Sequence, residues 1–211
     1  MNNSNLSALP EALRAAGITL ILASGSPRRR QLIEGLDMPV KTESFDAVDE
    51  IVPPDLSAFE TPAYLARLKS DAFRPLAANE VLITADTVVV CDGRLLGKPT
   101  DREDARAMLQ RLSGNRHEVL TGVCLRTVAA VRTFTEQTTV VFRPLEAAEI
   151  DFYLDRYRPC DKAGAYGAQE WMGFVGIERI EGSYFNVMGL PLHRLYEELK
   201  ALIIDFETFR R

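Results

Sequence analysis

At 211 residues, with 46% apolar and 26% charged side chains, the chain has ordinary globular composition and length for a substantial core in one or two lobes. A net charge of −5 argues against a general nucleic-acid surface, so an anion site here must be a local concentration of Arg and Lys. Three scattered cysteines, Cys91, Cys124 and Cys160, suit reduced thiols and a cytoplasmic setting; the N-terminal segment lacks the pattern of a secretion signal, and no apolar run is long enough for a membrane span.

Residues 1–17 are expected to be an N-terminal extension, either a short helix or an arm, ahead of a single domain over 18–205. The run Ile18 to Ala23 reads as a buried strand that ends at a Ser/Gly/Pro turn. A helix follows, with Ser26 as N-cap, Pro27 at the first position and Leu32, Ile33 and Leu36 on one face. Residues 61–73 read as a second helix capped by Thr61, with Leu65 and Leu68 inward and Lys69 near the same face.

The β-branched run Val81 to Val90 reads as a central strand, closed by a tight turn at Asp92-Gly93. Thr100 and Glu103 suggest a capping box for a helix whose stripe is Ala105, Met108, Leu109 and Leu112. Residues 117–127 and 131–142 read as paired long strands, 146–157 as a helix, and a last helix starts at Pro191 with Leu192, Leu195, Tyr196 and Leu199 inward. The alternation of elements predicts an α/β fold: a mixed twisted β-sheet flanked by helices, in two lobes around a central cleft.

The segment Ser24-Gly25-Ser26-Pro27-Arg28-Arg29 combines helix-start N–H groups, two hydroxyls and two guanidinium groups, the devices that bind phosphate, although a helix cap with solvated arginines has the same letters. Asp86 interrupts an apolar strand, where a carboxylate needs a partner, a metal or a catalytic task; Thr87 faces the other side or the same pocket. Lys69, Lys98 and Lys162 are candidate phosphate ligands, each also readable as a surface lysine. Asp46, Asp49 and Glu50 either supply oxygen ligands to Mg²⁺ or Mn²⁺ or form a solvated acidic loop.

Other chemistries fail on spacing. The stretch from Gly93 to Pro99 is one residue short of a P-loop and carries Pro in place of its Ser or Thr, no G-x-G-x-x-G follows a strand, and His117 and His193 have no zinc spacing. Ser24 and Ser26 have no evident histidine base.

The segments LILASGSPRRRQLI, ITADTVVV, LGKPTDREDARAMLQRLSGNRHEVLTGV, DKAGAYGAQ and GSYFNVMGLP, in this order, resemble the Maf family of nucleotide pyrophosphatases, and the likeness runs from Ile18 to Leu199. The resemblance implies hydrolysis of a nucleoside triphosphate to the monophosphate and pyrophosphate with a divalent metal cation, Mg²⁺ or Mn²⁺, in an α/β fold with a central cleft. It implies Asp86 as catalytic base, Lys98 and Lys69 as catalytic cations, and Ser24, Ser26, Arg28, Arg29 and Lys162 as substrate-binding residues. Glu50 and Asp86 would hold the metal. Arg28, Thr87 and Gln169 resemble the specificity set of members acting on dTTP and UTP, with modified pyrimidine nucleotides as further candidates. The segment ARLKSDAF departs from the family pattern, in which a glutamate precedes the lysine and an alanine follows. A homodimer is compatible with the family, no nucleic-acid or membrane partner is expected, and the family name also suggests a nucleotide-binding regulator of cell division that acts by binding alone.

Overall fold

The run expected at 81–90 becomes β3 (Glu80–Cys91), the strand on which the rest of the fold is assembled. The computed structural model describes residues 8–44 and 49–209, with side chains as far as Ile203. In chain order, the elements before β3 are α1 (Leu9–Ala16), β1 (Thr19–Ala23), α2 (Pro27–Glu34), β2 (Val40–Glu43) and α3 (Thr61–Ala72). After it come β4 (Arg94–Leu96), α4 (Arg102–Leu112), β5 (Arg116–Arg126), β6 (Val131–Phe142) and α5 (Ala147–Tyr157). A 3-10 turn (Ala163–Ala165), α6 (Trp171–Gly176), β7 (Ile177–Glu181), α7 (Tyr184–Val187) and α8 (Leu192–Phe209) complete it.

The strands form one mixed sheet in the order β2-β1-β3-β5-β6-β7, with β4 added to β3, and helices flank it, so the α/β class expected from the sequence is the class observed. β1 runs parallel to β2 and β3, whereas β5, β6 and β7 continue antiparallel. Asp92 and Gly93 both take positive φ, 51° and 71°, the backbone of a two-residue turn that carries β3 back as β4, with Cys91 facing Arg94.

β3 is not paired evenly. β1 pairs with it from Glu80 to Ile83, and β4 pairs with it from Val89 to Cys91, while β5 lies along its other edge from Leu82 to Val90. Among the described residues, the edge from Thr84 to Val88 therefore has a strand on one side only. The hydrophobic core divides at the same place. One cluster gathers Leu13, Leu20, Ile33, Ile83, Ala85, Leu195 and Leu199. The other holds Val89, Leu109, Leu112, Phe142 and Tyr153. Each large side chain buried this way contributes about 1.5–3 kcal/mol. The cleft opens between these two cores.

α1 is amphipathic, ends at Gly17 in the left-handed conformation, and buries Leu9 and Leu13 in the first core. Two helix starts differ from the sequence reading. α3 has Glu60, not Thr61, at its N-cap position; Thr61 lies inside the first turn and donates to the Ser57 carbonyl. α4 is capped by Asp101 in place of Thr100: the Asp101 carboxylate accepts from Asp104 N at 2.8 Å, and Asp104 accepts from Thr100 N at 2.9 Å. The i,i+3 half of a capping box holds one residue later, from Asp101 to Asp104, while the Asp104 carboxylate reaches back past the cap residue to the Thr100 N–H.

Candidate active site

Three elements converge on the gap in β3. The first is α3, which lies against the face of β3 and β5 that carries Thr84 and Asp86. Thr84 Oγ1 donates to the Ala66 carbonyl at 2.6 Å, fastening helix to strand. On β5, Gly122 sits directly opposite Asp86, and a Cβ there would lie 2.0 Å from the Pro62 carbonyl carbon. Only glycine allows that approach. The result is that Lys69, about two helical turns beyond Pro62, reaches the strand: Nζ lies 2.6 Å from Asp86 Oδ1 and 3.0 Å from Glu50 Oε1.

The second element is the turn into α2. Ser24 Oγ accepts from Ser26 N at 3.2 Å, and Ser26 Oγ caps Arg29 N, so both hydroxyl protons remain to donate. Arg29 is committed inward: Nη1 donates to the Ala85 carbonyl at 2.9 Å, Nη2 to Thr87 Oγ1 at 3.0 Å, and Nε to the Gly189 carbonyl at 2.7 Å. It satisfies a β3 carbonyl where no strand does, and so acts as scaffold as well as cation. Burial lowers its pKa, against the opposing charge of Asp86. Thr87 Oγ1 also bonds Thr121 Oγ1 at 3.0 Å, and Thr121 donates to the carbonyl of the fully buried Asn186, which ties the late α7 segment to the same floor.

The third element is the wall from Asp161 to Glu170. Lys162 is buried, with Nζ 2.7 Å from Asp161 Oδ1 and 3.1 Å from Glu170 Oε1. Asp161 Oδ2 receives Arg28 Nη1 at 2.9 Å. Burial pushes the Asp161 carboxyl up, but the hydrogen bonds from Lys162 and Arg28 outweigh it and hold the group below its usual range. Behind this wall the buried phenol of Tyr153 donates to Glu170 Oε2 and accepts from Gly167 N at 3.1 Å. Burial first, and then the Glu170 carboxylate, raise the Tyr153 pKa, so it stays a neutral donor.

Ser24, Ser26, Arg28, Arg29, Glu50, Lys69, Asp86, Thr87, Lys98, Lys162 and Gln169 all line this one cleft, of about 440 Å³. Thr87 thus faces the pocket, resolving the two orientations open from sequence. Lys98, in the loop between β4 and α4, is exposed and has no ion pair among the described residues; Gly97 next to it anchors the 3-10 turn through a 3.1 Å bond from Gly164 N. Gln169 Oε1 is buried without a protein partner. Asp49 does not line the cleft, and Asp46 lies outside the described residues. The sequence reading overlooked Asp161, Glu170 and Tyr153. A carboxylate directly after Gln169, in a segment otherwise Gly-rich and apolar, was the available signal.

The geometry suits a polyanion with a polar head. Cations stand on three sides, and two carboxylates, Glu50 and Asp86, converge on Lys69 at the sheet gap. Among the described residues there is no group of three or more His, Cys, Asp and Glu side chains that could hold a metal ion.

Residues 19–202 match the model of the family described as Maf-like protein. The chain is 51% identical over 184 residues to the dTTP/UTP pyrophosphatase of Phocaeicola vulgatus, covering 87% of this chain and 95% of that protein. It is 50% identical over 184 residues to the dTTP/UTP pyrophosphatase of Porphyromonas gingivalis, covering 86% and 92%. With the like-named protein of Flavobacterium johnsoniae it shares 46% over 185 residues, covering 87% and 95%. The solved structure of the Staphylococcus aureus Ham1 protein gives a TM-score of 0.41 at 18% identity over 59% of this chain and 71% of that one, too slight a likeness to carry weight. With the family match running from β1 into α8 and these relatives matched over nearly their whole length, the chain belongs to the Maf family.

Proposed function

We propose that this protein hydrolyses nucleoside triphosphates, dTTP and UTP foremost and modified pyrimidine triphosphates among the candidates, to the monophosphate and pyrophosphate. The observation that carries the reading is the Lys69–Asp86 pair at the floor of a cleft whose other sides present Arg28, Lys98 and Lys162. The names of the relatives point to the same substrates. Residues 18–205 are assigned as the working unit, and α1 as an addition that packs on it.

Asp86 has one oxygen held by Lys69, which leaves Oδ2 to accept a proton from water and aim it at the α-phosphorus. Hydrolysis breaks the bond between the α-phosphorus and the bridging oxygen, and the electron pair leaves with pyrophosphate. Lys98, Lys162 and Arg28, with the hydroxyls of Ser24 and Ser26, neutralise the charge that gathers on the departing group. No residue need form a covalent intermediate.

Glu50 and Asp86 fit a hard divalent cation, Mg²⁺ or Mn²⁺: they are carboxylates at one lysine, and such ions take one or two carboxylates and complete their shell with phosphate oxygens and water. When bound, the ion supplies charge neutralisation to the phosphates and acidity to water. Thr87, Arg28 and Gln169 are assigned to the nucleotide's head; the partnerless Gln169 Oε1 suits the imide N–H that thymine and uracil share.

The three free thiols fit a reducing cytoplasmic setting, and a homodimer accords with the family resemblance. No helix among the described residues is long and apolar enough to cross a membrane. The test is pyrophosphate release from a panel of canonical and modified triphosphates with Mg²⁺ or Mn²⁺. Turnover of dTTP and UTP is expected, and silence across the panel would refute the assignment.

A further inference from the structure

Lys162 has two carboxylate partners that differ in kind. Glu170 is 21% exposed, and its second oxygen is held from behind by the buried Tyr153 phenol, so it is tied to the wall at both oxygens. Asp161 is 58% exposed, belongs to the loop that follows α5, and bridges two cations of the cleft with its two oxygens: Oδ1 to Lys162 Nζ at 2.7 Å and Oδ2 to Arg28 Nη1 at 2.9 Å. A carboxylate with one oxygen on each of two cations makes the contacts that two oxygens of a phosphate chain would make. Both cations cannot serve Asp161 and a phosphate chain at full strength, since Lys162 already shares its three donors with Glu170. We propose that Asp161 is an internal competitor for the phosphate wall: it occupies Arg28 and Lys162 in the ligand-free protein, is displaced by the incoming chain, and returns as pyrophosphate leaves.

The inference rests on reading the cleft as a triphosphate site and gives Asp161 a part in product release. Its energetic scale is that of a partly exposed ion pair, enough to change anion affinity severalfold. A residue that merely holds Arg28 and Lys162 in place would act in the opposite direction, because its loss would weaken anion binding.

The experiment is calorimetric titration of the full-length protein with inorganic pyrophosphate, which needs no turnover. Asp161→Asn is expected to bind pyrophosphate about fivefold more tightly than the wild type, Asp161→Ser to do the same, and Asp161→Glu to restore wild-type affinity. The gap between wild type and Asp161→Asn is expected to narrow as KCl is raised, since the competing pair is screened. Equal or weaker binding by both Asp161→Asn and Asp161→Ser overturns the proposal, as does a wild type that binds no pyrophosphate. Wild-type dTTP and UTP turnover is measured in parallel: tighter pyrophosphate binding by the variants with no wild-type turnover would leave Asp161's role standing and remove the enzymatic reading.

Discussion

Lys69 and Asp86 hold each other at the floor of the cleft, Nζ to Oδ1 at 2.6 Å, with each side chain 15% exposed. A helix residue and a strand residue 17 positions apart in sequence are joined there by one ion pair, at the stretch of β3 between its β1 and β4 pairings, where β5 alone lies alongside among the described residues. Replacing Asp86 by Asn keeps the shape and removes the carboxylate proposed as the base. Pyrophosphate release at saturating dTTP should fall about a hundredfold or more, with the melting temperature little changed. A loss below tenfold would take the base role away from Asp86.

Lys98 offers the complementary case. It is exposed and makes no ion pair among the described residues, so its removal costs the fold little. Lys98→Ala should leave the unfolding midpoint within error of wild type while lowering kcat/KM about tenfold or more, the scale of one charged hydrogen bond to phosphate. If kcat/KM is unchanged, Lys98 is a bystander.

Arg29 should behave in reverse. Its three bonds to Ala85 O, Thr87 Oγ1 and Gly189 O require a planar fork that lysine lacks. Arg29→Lys is therefore expected to lose about 2–3 kcal/mol of stability, a fall of roughly 4–12 °C in melting temperature for a chain of this size. Calorimetry on the ligand-free protein reads this directly, and an unshifted melt would mean that the three bonds contribute nothing.

His117 gives a pH signature. It is buried, bonds Tyr166 Oη at 2.8 Å through Nε2, and burial pushes its pKa down to about 4. The unfolded chain, with a pKa near 6.5, binds more protons than the folded one between those values, so stability rises as pH goes from 4 to 6.5 and is flat above. The window is worth roughly 3 kcal/mol at most. His117→Gln should flatten that part of the stability curve above about pH 4.5; Glu80, held down at about 2 by Arg74, adds stability that is complete above its unfolded pKa of 4.5 and is lost as pH falls from there toward 2. A variant whose acid limb matches wild type would show that His117 is not the group responsible.

Much of the site was legible because its parts are local patterns: a strand ending at SGSPRR, a lone Asp in an apolar strand, a lysine before a capped helix. What the letters did not show depends on contacts between distant segments. Asp161 looks like one acidic residue in a loop until α2 brings Arg28 beside it, and Glu170 has meaning only once Tyr153 of α5 stands behind it. β2 and β4 were missed for a related reason: Val40–Glu43 and Arg94–Leu96 are too short to show a period, and become strands because β1 and β3 offer an edge. The α4 cap shifted by one residue because Asp101 and Asp104 repeat the spacing of Thr100 and Glu103.

Gly122 bears on how the cleft can work. With the first turn of α3 pressed on the strand backbone and Ala66 bonded to Thr84, the Lys69 side of the cleft is an anvil braced by backbone contact. Accommodation of a bulky ligand then falls to the opposing jaw, where Asp161 is exposed and its partners are charges rather than packed backbone. A methyl group at position 122 would wedge the anvil itself, so Gly122→Ala should disturb the Lys69–Asp86 pair from a position that touches no substrate.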